Sequence, residues 1–382
     1  MTKQIELEED LGSGLTYLEE TSRSEHSYPA RDCWLRQAGV AEPISGLNIL
    51  AFRQRFGAVS VPAEGIGGVE TMPAFRRQGH IRTLLTKTVE GMARRVPVAF
   101  VSDAIEGLYE KFGFVTCLVE AHLSVRVRHV ERLAGSSLEG SSRVRGFAAA
   151  DLPAMVALYN QAHARRTWTH ERHAAWNHLF VTETWKSGSE VLIFERDGQV
   201  AGYAILRELQ YGHVRSQFAV DELAAGDIEA AQVLLAEVAA RCWNLRLSEF
   251  WVREPLDSAV GWAAQRIGCE YHQTFPSTGG MMGAILDRQQ LLTLLEPELR
   301  RRLPSAELHT EHTAAFDALQ RGELLADNRD LLRLLIGYWS AAHARAYDLA
   351  IPAQYERIAG AWFPGAGTHM LSLPYAHTLD RY

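Results

Sequence analysis

The stretch from Gly68 to Leu85 constrains the fold of this chain more than any other part of its sequence. It reads GVETMPAFRRQGHIRTLL, an apolar start followed by a break at Pro73 and a glycine, Gly79, just before a periodic segment. In that segment apolar side chains recur at helical spacing on one face: Ile81, Leu84, Leu85, Val89 and Met92. The pattern predicts a strand, a turn rich in backbone donors and an amphipathic helix.

This predicted turn is suited to binding a phosphate group. It directs several backbone N–H groups and the positive end of a helix at one spot, where a pyrophosphate binds well. Arg76 and Arg77 add charge-assisted donors at its edge. Two common phosphate-binding loops are excluded, because the stretch has neither the Gly-Lys-Ser/Thr of nucleoside triphosphate sites nor the Gly-x-Gly-x-x-Gly of dinucleotide sites.

Two motifs in this region carry a family resemblance. The residues Arg76-Arg77-Gln78-Gly79-His80-Ile81 resemble motif A of the GCN5-related N-acetyltransferases (GNAT), Arg/Gln-x-x-Gly-x-Gly/Ala, with Ile81 at the usually small position. Val98 to Phe114 resembles motif B, an apolar strand and short loop followed by Tyr-Glu-x-Phe-Gly-Phe. Both motifs occur in the family's order and spacing. The resemblance therefore implies a GNAT fold that binds the pyrophosphate of acetyl-coenzyme A (acetyl-CoA).

The composition is that of a globular protein. The 382 residues are 47% apolar and 22% charged, and they suffice for two or three domains. There is no apolar run of about 18 residues and no secretory leader, so a cytoplasmic location is expected. A net charge of −7 argues against general nucleic-acid binding and is compatible with a cationic substrate. The four scattered cysteines predict buried, reduced thiols and no metal site.

The chain divides into three predicted units. Residues 1–130 form the first, a GNAT domain that binds acetyl-CoA and carries the catalytic residues, and a Gly/Ser-rich linker follows. Residues 143–286 repeat the order of strand, hairpin, strand and helix. Where motif A would stand, this second unit has Leu223-Ala-Ala-Gly-Asp-Ile228. We therefore predict a second, degenerate GNAT domain that has lost its coenzyme site.

Residues 287–382 form the third predicted unit. Helical patterns are followed by Trp362-Phe363-Pro364 and by the ending Asp380-Arg381-Tyr382. After two GNAT copies, this arrangement resembles the sterol-carrier-like C-terminal domain of the Eis (enhanced intracellular survival) family, whose tail reaches the active site. The expected fold class is thus α/β (α+β), with two tandem GNAT folds built on mixed central sheets and a small sterol-carrier-like α+β domain.

The resemblance also assigns candidate site residues. The backbone N–H of Val69 would contact the thioester carbonyl, and Tyr109 would act as the general acid, although a core aromatic is the alternative for Tyr109. The proton acceptor is either Glu70 or the α-carboxylate of Tyr382, for which a frayed tail is the alternative. The predicted cofactor-binding residues are Val69, Thr71, Arg76, Arg77, Gly79, His80 and Ile81.

The sequence thus predicts an Eis-like N-acetyltransferase that uses acetyl-CoA as co-substrate. The acceptor would be a primary amine of the aminoglycoside, polyamine or lysine type, with no nucleic-acid or membrane partner, and the resemblance implies an oligomer. The alternative is a non-catalytic acyl-CoA-binding regulatory protein. His170 and His173 are interpreted as a surface pair on a helix rather than as metal ligands, since no third ligand is evident.

Overall fold

The structure is a computed structural model that describes residues 2–23, 29–104, 107–133, 142–173, 190–210, 216–276, 279–349 and 351–365. The candidate catalytic residue Tyr382 lies outside the described residues. Within the described part, the chain forms two mixed β-sheets followed by a group of helices.

The first sheet is built mainly from the N-terminal third of the chain. Its strands from that part are β1 Thr2–Gly12, β2 Leu15–Arg23, β3 Ala30–Gln37, β4 Ser45–Phe56, β5 Val59–Thr71, β6 Val98–Ala104 and β7 Val115–Thr116. Helix α1, His80–Ala93, connects β5 to β6, which pair in parallel. The predicted order of strand, turn and helix from Gly68 to Leu85 is present.

The second sheet repeats this arrangement. Its strands are β8 Glu120–Arg126, β9 Arg143–Gly146, β10 Glu190–Arg196, β11 Gln199–Gln210, β12 Ser216–Ala225, β13 Glu249–Val252 and β14 Cys269–Thr274. The helices are α2 Leu152–Ala162, α3 Ile228–Asn244 and α4 Ala259–Ile267. Here β12 and β13 form the parallel pair that α3 connects.

The two sheets exchange a strand. β8 lies within the range predicted for the first domain, but it pairs with β13 and β14 of the second sheet. The last strand, β15 Gly280–Ile285, comes from the range of the second domain and inserts between β6 and β7 of the first sheet. The predicted limits at residues 130 and 286 do not account for this exchange, because a periodic pattern indicates a strand but not the sheet it joins.

The remaining described residues form helices. These are α5 Arg288–Arg301, α6 Ala306–Arg321, α7 Asn328–Leu335, α8 Ala341–Ala346 and α9 Glu356–Trp362, with a 3₁₀ turn at Ala353–Tyr355. No strand occurs in the described residues after Ile285, so the sterol-carrier-like α+β fold is not confirmed. None of the helices in the described part of the chain has the length and apolar character that a bilayer crossing requires.

The helical unit is fixed to the first sheet by a buried carboxylate, Glu298, which forms an ion pair with Arg302 within the unit. Glu298 accepts hydrogen bonds from Arg302 Nε at 2.9 Å and from the backbone N–H of Ala58 at 3.2 Å, in the turn between β4 and β5. Arg302 also donates to the carbonyl of Trp362 at 2.7 Å. A Cβ at Gly57 would lie 2.2 Å from the Glu298 carboxylate, so this turn has room only for glycine.

Two apolar clusters cover opposite faces of the first sheet. Leu84, Leu85 and Met92 of α1 pack with Leu47 and Ile49 on one face, as the helical spacing predicts. On the other face, the leucines of α5 to α7 pack in one cluster with side chains of β4 to β6, among them Phe56, Val61 and Phe100. The opposite end of that second face, beside the last residues of β5, is where the candidate site begins.

Candidate active site

The central strands of the first sheet separate at their C-terminal ends. β5 and β6 pair from Ala63 with Val98 to Ile66 with Val101, although both strands continue beyond these residues. Just past this point β5 contains a β-bulge against β4, and Gly68 lies at φ +59° within it. A side chain there would be strained and would press on the Asn48 amide at 3.1 Å. The result is an opening between the strands.

The turn after β5 ends in an uncovered helix N-terminus. Gly79 is the N-cap of α1 at φ +87°, and its carbonyl accepts from the N–H groups of Arg82 and Thr83. The N–H groups of the first helical residues, His80 and Ile81, have no intrahelical acceptor available to them. There is no acidic residue in the first turn, so the positive end of the helix keeps its charge for a ligand.

Two arginines shape the turn and add positive charge. Arg76 donates from Nε to the carbonyl of Thr71 at 3.0 Å, which holds the turn against the end of β5. Arg77 takes a positive φ of +64°, which is uncommon for a residue with a side chain. Both side chains are exposed. The N–H groups and guanidinium groups together suit a pyrophosphate.

A cavity of about 340 Å³ joins the bulge to the helix start. It is lined by Val69, Glu70, Thr71, Phe75, Arg76, Arg77, Gly79, His80 and Ile81. The structure thus brings together every predicted cofactor-binding residue and the candidate base Glu70, whose roles remain predictions. The sequence did not predict Phe75 as part of the site. Its ring packs edge-on against the ring of His80, with 6.2 Å between the ring centroids. Its position between Pro73 and the arginines is the signal that could have identified it.

Tyr109 lies behind this cavity rather than in its wall. It is the first residue of a 3₁₀ turn, Tyr109–Phe112. Its ring packs edge-on against the ring of Phe114, with 6.0 Å between the ring centroids. The phenol is buried in the apolar cluster that also contacts Val69 and Phe75. Burial raises the pKa of Tyr109 above its ordinary value, which favours the protonated form.

The equivalent region of the second sheet is filled by charged side chains. The parallel pairing of β12 with β13 ends at Val220, and a bulge at Asp221 follows. Glu222 is buried and accepts from both terminal nitrogens of Arg172, at 2.8 and 2.7 Å, and from the hydroxyl of Tyr203. A ligand entering this gap would have to displace a buried ion pair.

The second helix N-terminus carries its own carboxylate. Asp227 caps α3 by accepting from the N–H of Ala230 at 2.8 Å, and Glu229 adds a second acidic residue in the first turn. Arg196 binds the Asp227 carboxylate at 2.8 Å and is the main cause of its lowered pKa. This charge distribution disfavours a phosphate group at the start of α3, and the loss of the coenzyme site from the second copy stays a prediction.

Comparison with known proteins identifies the fold. Residues 41–117 match the family model described as acetyltransferase (GNAT) domain. The first domain is a GNAT acetyltransferase domain. This range contains the bulge, the turn, α1 and Tyr109. A search of curated protein sequences gives no match.

Solved structures extend the GNAT assignment of the fold to nearly the whole chain. A GCN5-related N-acetyltransferase from Kribbella flavida is 17% identical with a TM-score of 0.63, and the alignment covers 92% of this chain and 88% of that one. Eis1 from Mycobacterium abscessus is 16% identical with a TM-score of 0.61, covering 92% and 90%. The Eis-like tandem GNAT fold predicted from the sequence is therefore confirmed.

A shorter match leads to the same fold. The GCN5-related N-acetyltransferase from Anabaena variabilis is 16% identical with a TM-score of 0.55. The alignment covers 68% of this chain and 64% of that protein, so this chain spans less than two thirds of its length.

Proposed function

We propose that the chain is an N-acetyltransferase that transfers the acetyl group of acetyl-CoA to a primary amine of the aminoglycoside, polyamine or lysine type. The observation that carries this proposal is the single cavity shared by the anion-binding start of α1 and the bulge of β5. One end of it suits the pyrophosphate, and the other lies at the strand edge where a thioester can meet an amine.

In this proposal the coenzyme is held by backbone and arginine donors. The N–H groups of Gly79, His80 and Ile81, together with Arg76 and Arg77, bind the pyrophosphate. The pantetheine arm then runs into the opening between β5 and β6. Val69 lies in the bulge between the paired positions Gly67 and Glu70, where its N–H can bind the thioester oxygen as negative charge develops there.

The reaction forms an amide bond and breaks a C–S bond. The neutral amine attacks the acetyl carbon, its proton passes to a base, and the departing thiolate takes a proton from an acid. We assign the acid role to Tyr109, which supplies a proton as the thiolate forms. This assignment is supported by the burial that keeps the phenol protonated and by its packing in the cluster behind Val69.

Two carboxylates compete for the role of base. Glu70 is exposed and lines the cavity, so it can accept a proton from a bound ammonium directly or through water. The other candidate is the α-carboxylate at Tyr382. Glu70→Gln should lower turnover strongly if Glu70 is the base. If the variant turns over normally, and added residues after Tyr382 abolish turnover instead, the base is the carboxylate at Tyr382.

Release of coenzyme A from acetyl-CoA across a panel of amines tests the activity itself. We expect turnover that depends on an amine acceptor. Gly79→Val should weaken acetyl-CoA binding in calorimetry, because a branched side chain is strained at φ +87° and Gly79 lines the cavity. A protein that binds acetyl-CoA but acetylates no amine would support the regulatory alternative. Unchanged acetyl-CoA affinity in Gly79→Val would show that the coenzyme site is elsewhere.

A further inference from the structure

A row of five residues crosses the first sheet from the coenzyme cavity to a second cavity. The strand registers pair Glu70 with Gly46, Gly46 with Trp34, Trp34 with Leu18, and Leu18 with Glu8. Directly paired residues of antiparallel strands point to the same side of a sheet. All five positions therefore share one face, and we call them the Glu8–Glu70 row.

The row lies on the face opposite α1. Tyr17, Cys33 and Leu47, which are neighbours in sequence of three row residues, belong to the apolar cluster that α1 covers. Successive side chains along a strand alternate between faces, so the row points the other way. The C-terminal helices pack on this second face at its far end, around Phe56 and Val61.

The row joins two cavities. Glu70 lines the coenzyme cavity, and Glu8 and Leu18 line a cavity of about 660 Å³ formed by the β1–β2 turn and the loop after β3. Asp10 and Arg36 line the second cavity as well. Glu8, Asp10 and Arg36 are exposed, and the two carboxylates outnumber the guanidinium. The second cavity thus favours a cation, and Glu70 supplies one carboxylate at the other end of the row.

The middle of the row is apolar. The indole of Trp34 lies directly over Gly46, since a Cβ at position 46 would be 2.3 Å from its Cε3 and Cζ3 atoms. Gly46 therefore allows the indole to extend across β4 between Leu18 and Glu70. Trp34 is half-buried, so part of its ring can pack against methylene groups and attract an ammonium group.

The distance between the two carboxylate ends sets the length of a suitable ligand. Neighbouring strands are about 4.8 Å apart, so the four steps from β5 to β1 span about 19 Å before the side chains reach inward. We propose that the row binds the acceptor and that this acceptor is an elongated polyamine. Its reacting amine would lie beside Glu70, its methylene groups on the exposed part of Trp34, and a distal ammonium at Glu8 and Asp10. This inference rests on the proposed transferase function.

Calorimetric titration of the chain saturated with coenzyme A tests the row without requiring turnover. The probes are spermine, which is long enough to span the row, and putrescine, which reaches only one end. We expect spermine to bind at least about tenfold more tightly, and Glu8→Gln to lower its affinity about two- to fivefold while leaving putrescine unchanged. Glu90→Gln, the same charge change on the exposed side of α1, should alter neither.

Variants in the centre of the row give a second measurement. Gly46→Ala should weaken spermine binding by displacing the indole, while acetyl-CoA affinity stays constant, and Trp34→Phe should retain most of the affinity. Equal affinities for the two amines, or a Glu8→Gln variant that binds spermine as tightly as the parent does, would overturn the proposal that the row binds the acceptor. The transferase proposal is judged separately by acetyl transfer to any primary amine, so either can fail while the other stands.

Discussion

The two GNAT copies differ most in what fills the gap beyond their parallel strand pair. In the first copy, the gap follows Ile66, contains glycine at the bulge, and faces a helix capped by Gly79 with no acidic residue in its first turn. In the second, the gap is filled by Asp221 and Glu222 with their arginine partners, and Asp227 caps the helix. The second copy has the same fold, but carboxylates of the chain itself lie at the positions that correspond to the anion-binding site of the first copy.

The largest effect that separates the two copies is expected from Tyr109→Phe. The variant keeps the ring and removes only the proton donor, so turnover should fall by about 10² to 10⁴ while acetyl-CoA affinity is unchanged. Tyr271→Phe, at a partly buried tyrosine of the second sheet, is the matched control and should turn over normally. Single-turnover kinetics measure the step directly. Near-parental turnover of Tyr109→Phe would remove the phenol from the mechanism.

Gly79→Asp should convert the first copy toward the second. Aspartate tolerates a positive φ better than most residues, and its carboxylate would occupy the start of α1 as Asp227 occupies α3. We expect acetyl-CoA affinity to fall about ten- to hundredfold by charge repulsion. Gly79→Asn, which has the same shape without the charge, should lose much less. Calorimetry should also give one coenzyme site per chain, and two sites would contradict the comparison.

A smaller effect is expected from the arginines. Arg77→Gln removes one charge from the edge of the cavity and should weaken acetyl-CoA binding about five- to tenfold. The loss should shrink as salt is added, because the contact is exposed. The matched control in the second copy is Arg196→Gln, because Arg196 binds the carboxylate of Asp227. This variant should leave the affinity for acetyl-CoA unchanged. Equal losses in both variants would mean that the second copy also contacts the coenzyme.

The smallest effect concerns the Asp227 cap. Arg196 lowers the pKa of Asp227 in the folded chain, so the charged carboxylate stabilises the fold above the unfolded pKa and this contribution is lost as the pH falls through the folded pKa. Asp227→Asn keeps the cap and should reduce the free energy of unfolding at neutral pH by about 0.3–1 kcal/mol. Urea unfolding at several pH values should show this difference disappearing in acid. A difference independent of pH would contradict the electrostatic explanation.

Local signals in the sequence predicted local structure well. The apolar spacing from Ile81 to Met92 predicted the buried face of α1, and the hairpin predicted within residues 143–286 is formed by β10 and β11. The glycine before the periodic segment predicted the start of α1, because a positive φ there requires it. These features depend on neighbouring residues alone, and so did most of the coenzyme cavity.

Long-range features could not be predicted in the same way. The interpretation of His170 and His173 as a helix pair was wrong, because His170 lies in an extended segment that pairs with Gln54 of β4 and stacks on Phe52 at 4.0 Å. The buried pair of Arg172 and Glu222 joins residues 50 positions apart. Such contacts depend on which elements pack together, and a single sequence contains no periodic signal for them.

The exchange of β8 and β15 links the order of synthesis to the completion of the first domain. A ribosome makes β6 some 180 residues before β15, the strand that pairs with its free edge. Until then β6 presents unpaired backbone groups that can join another chain. A chain truncated after the motifs of the first copy would therefore contain every residue of the coenzyme cavity and still lack β15, a central strand of the first sheet. The first sheet is therefore complete only when the second copy, which we predict to bind no coenzyme, has been made.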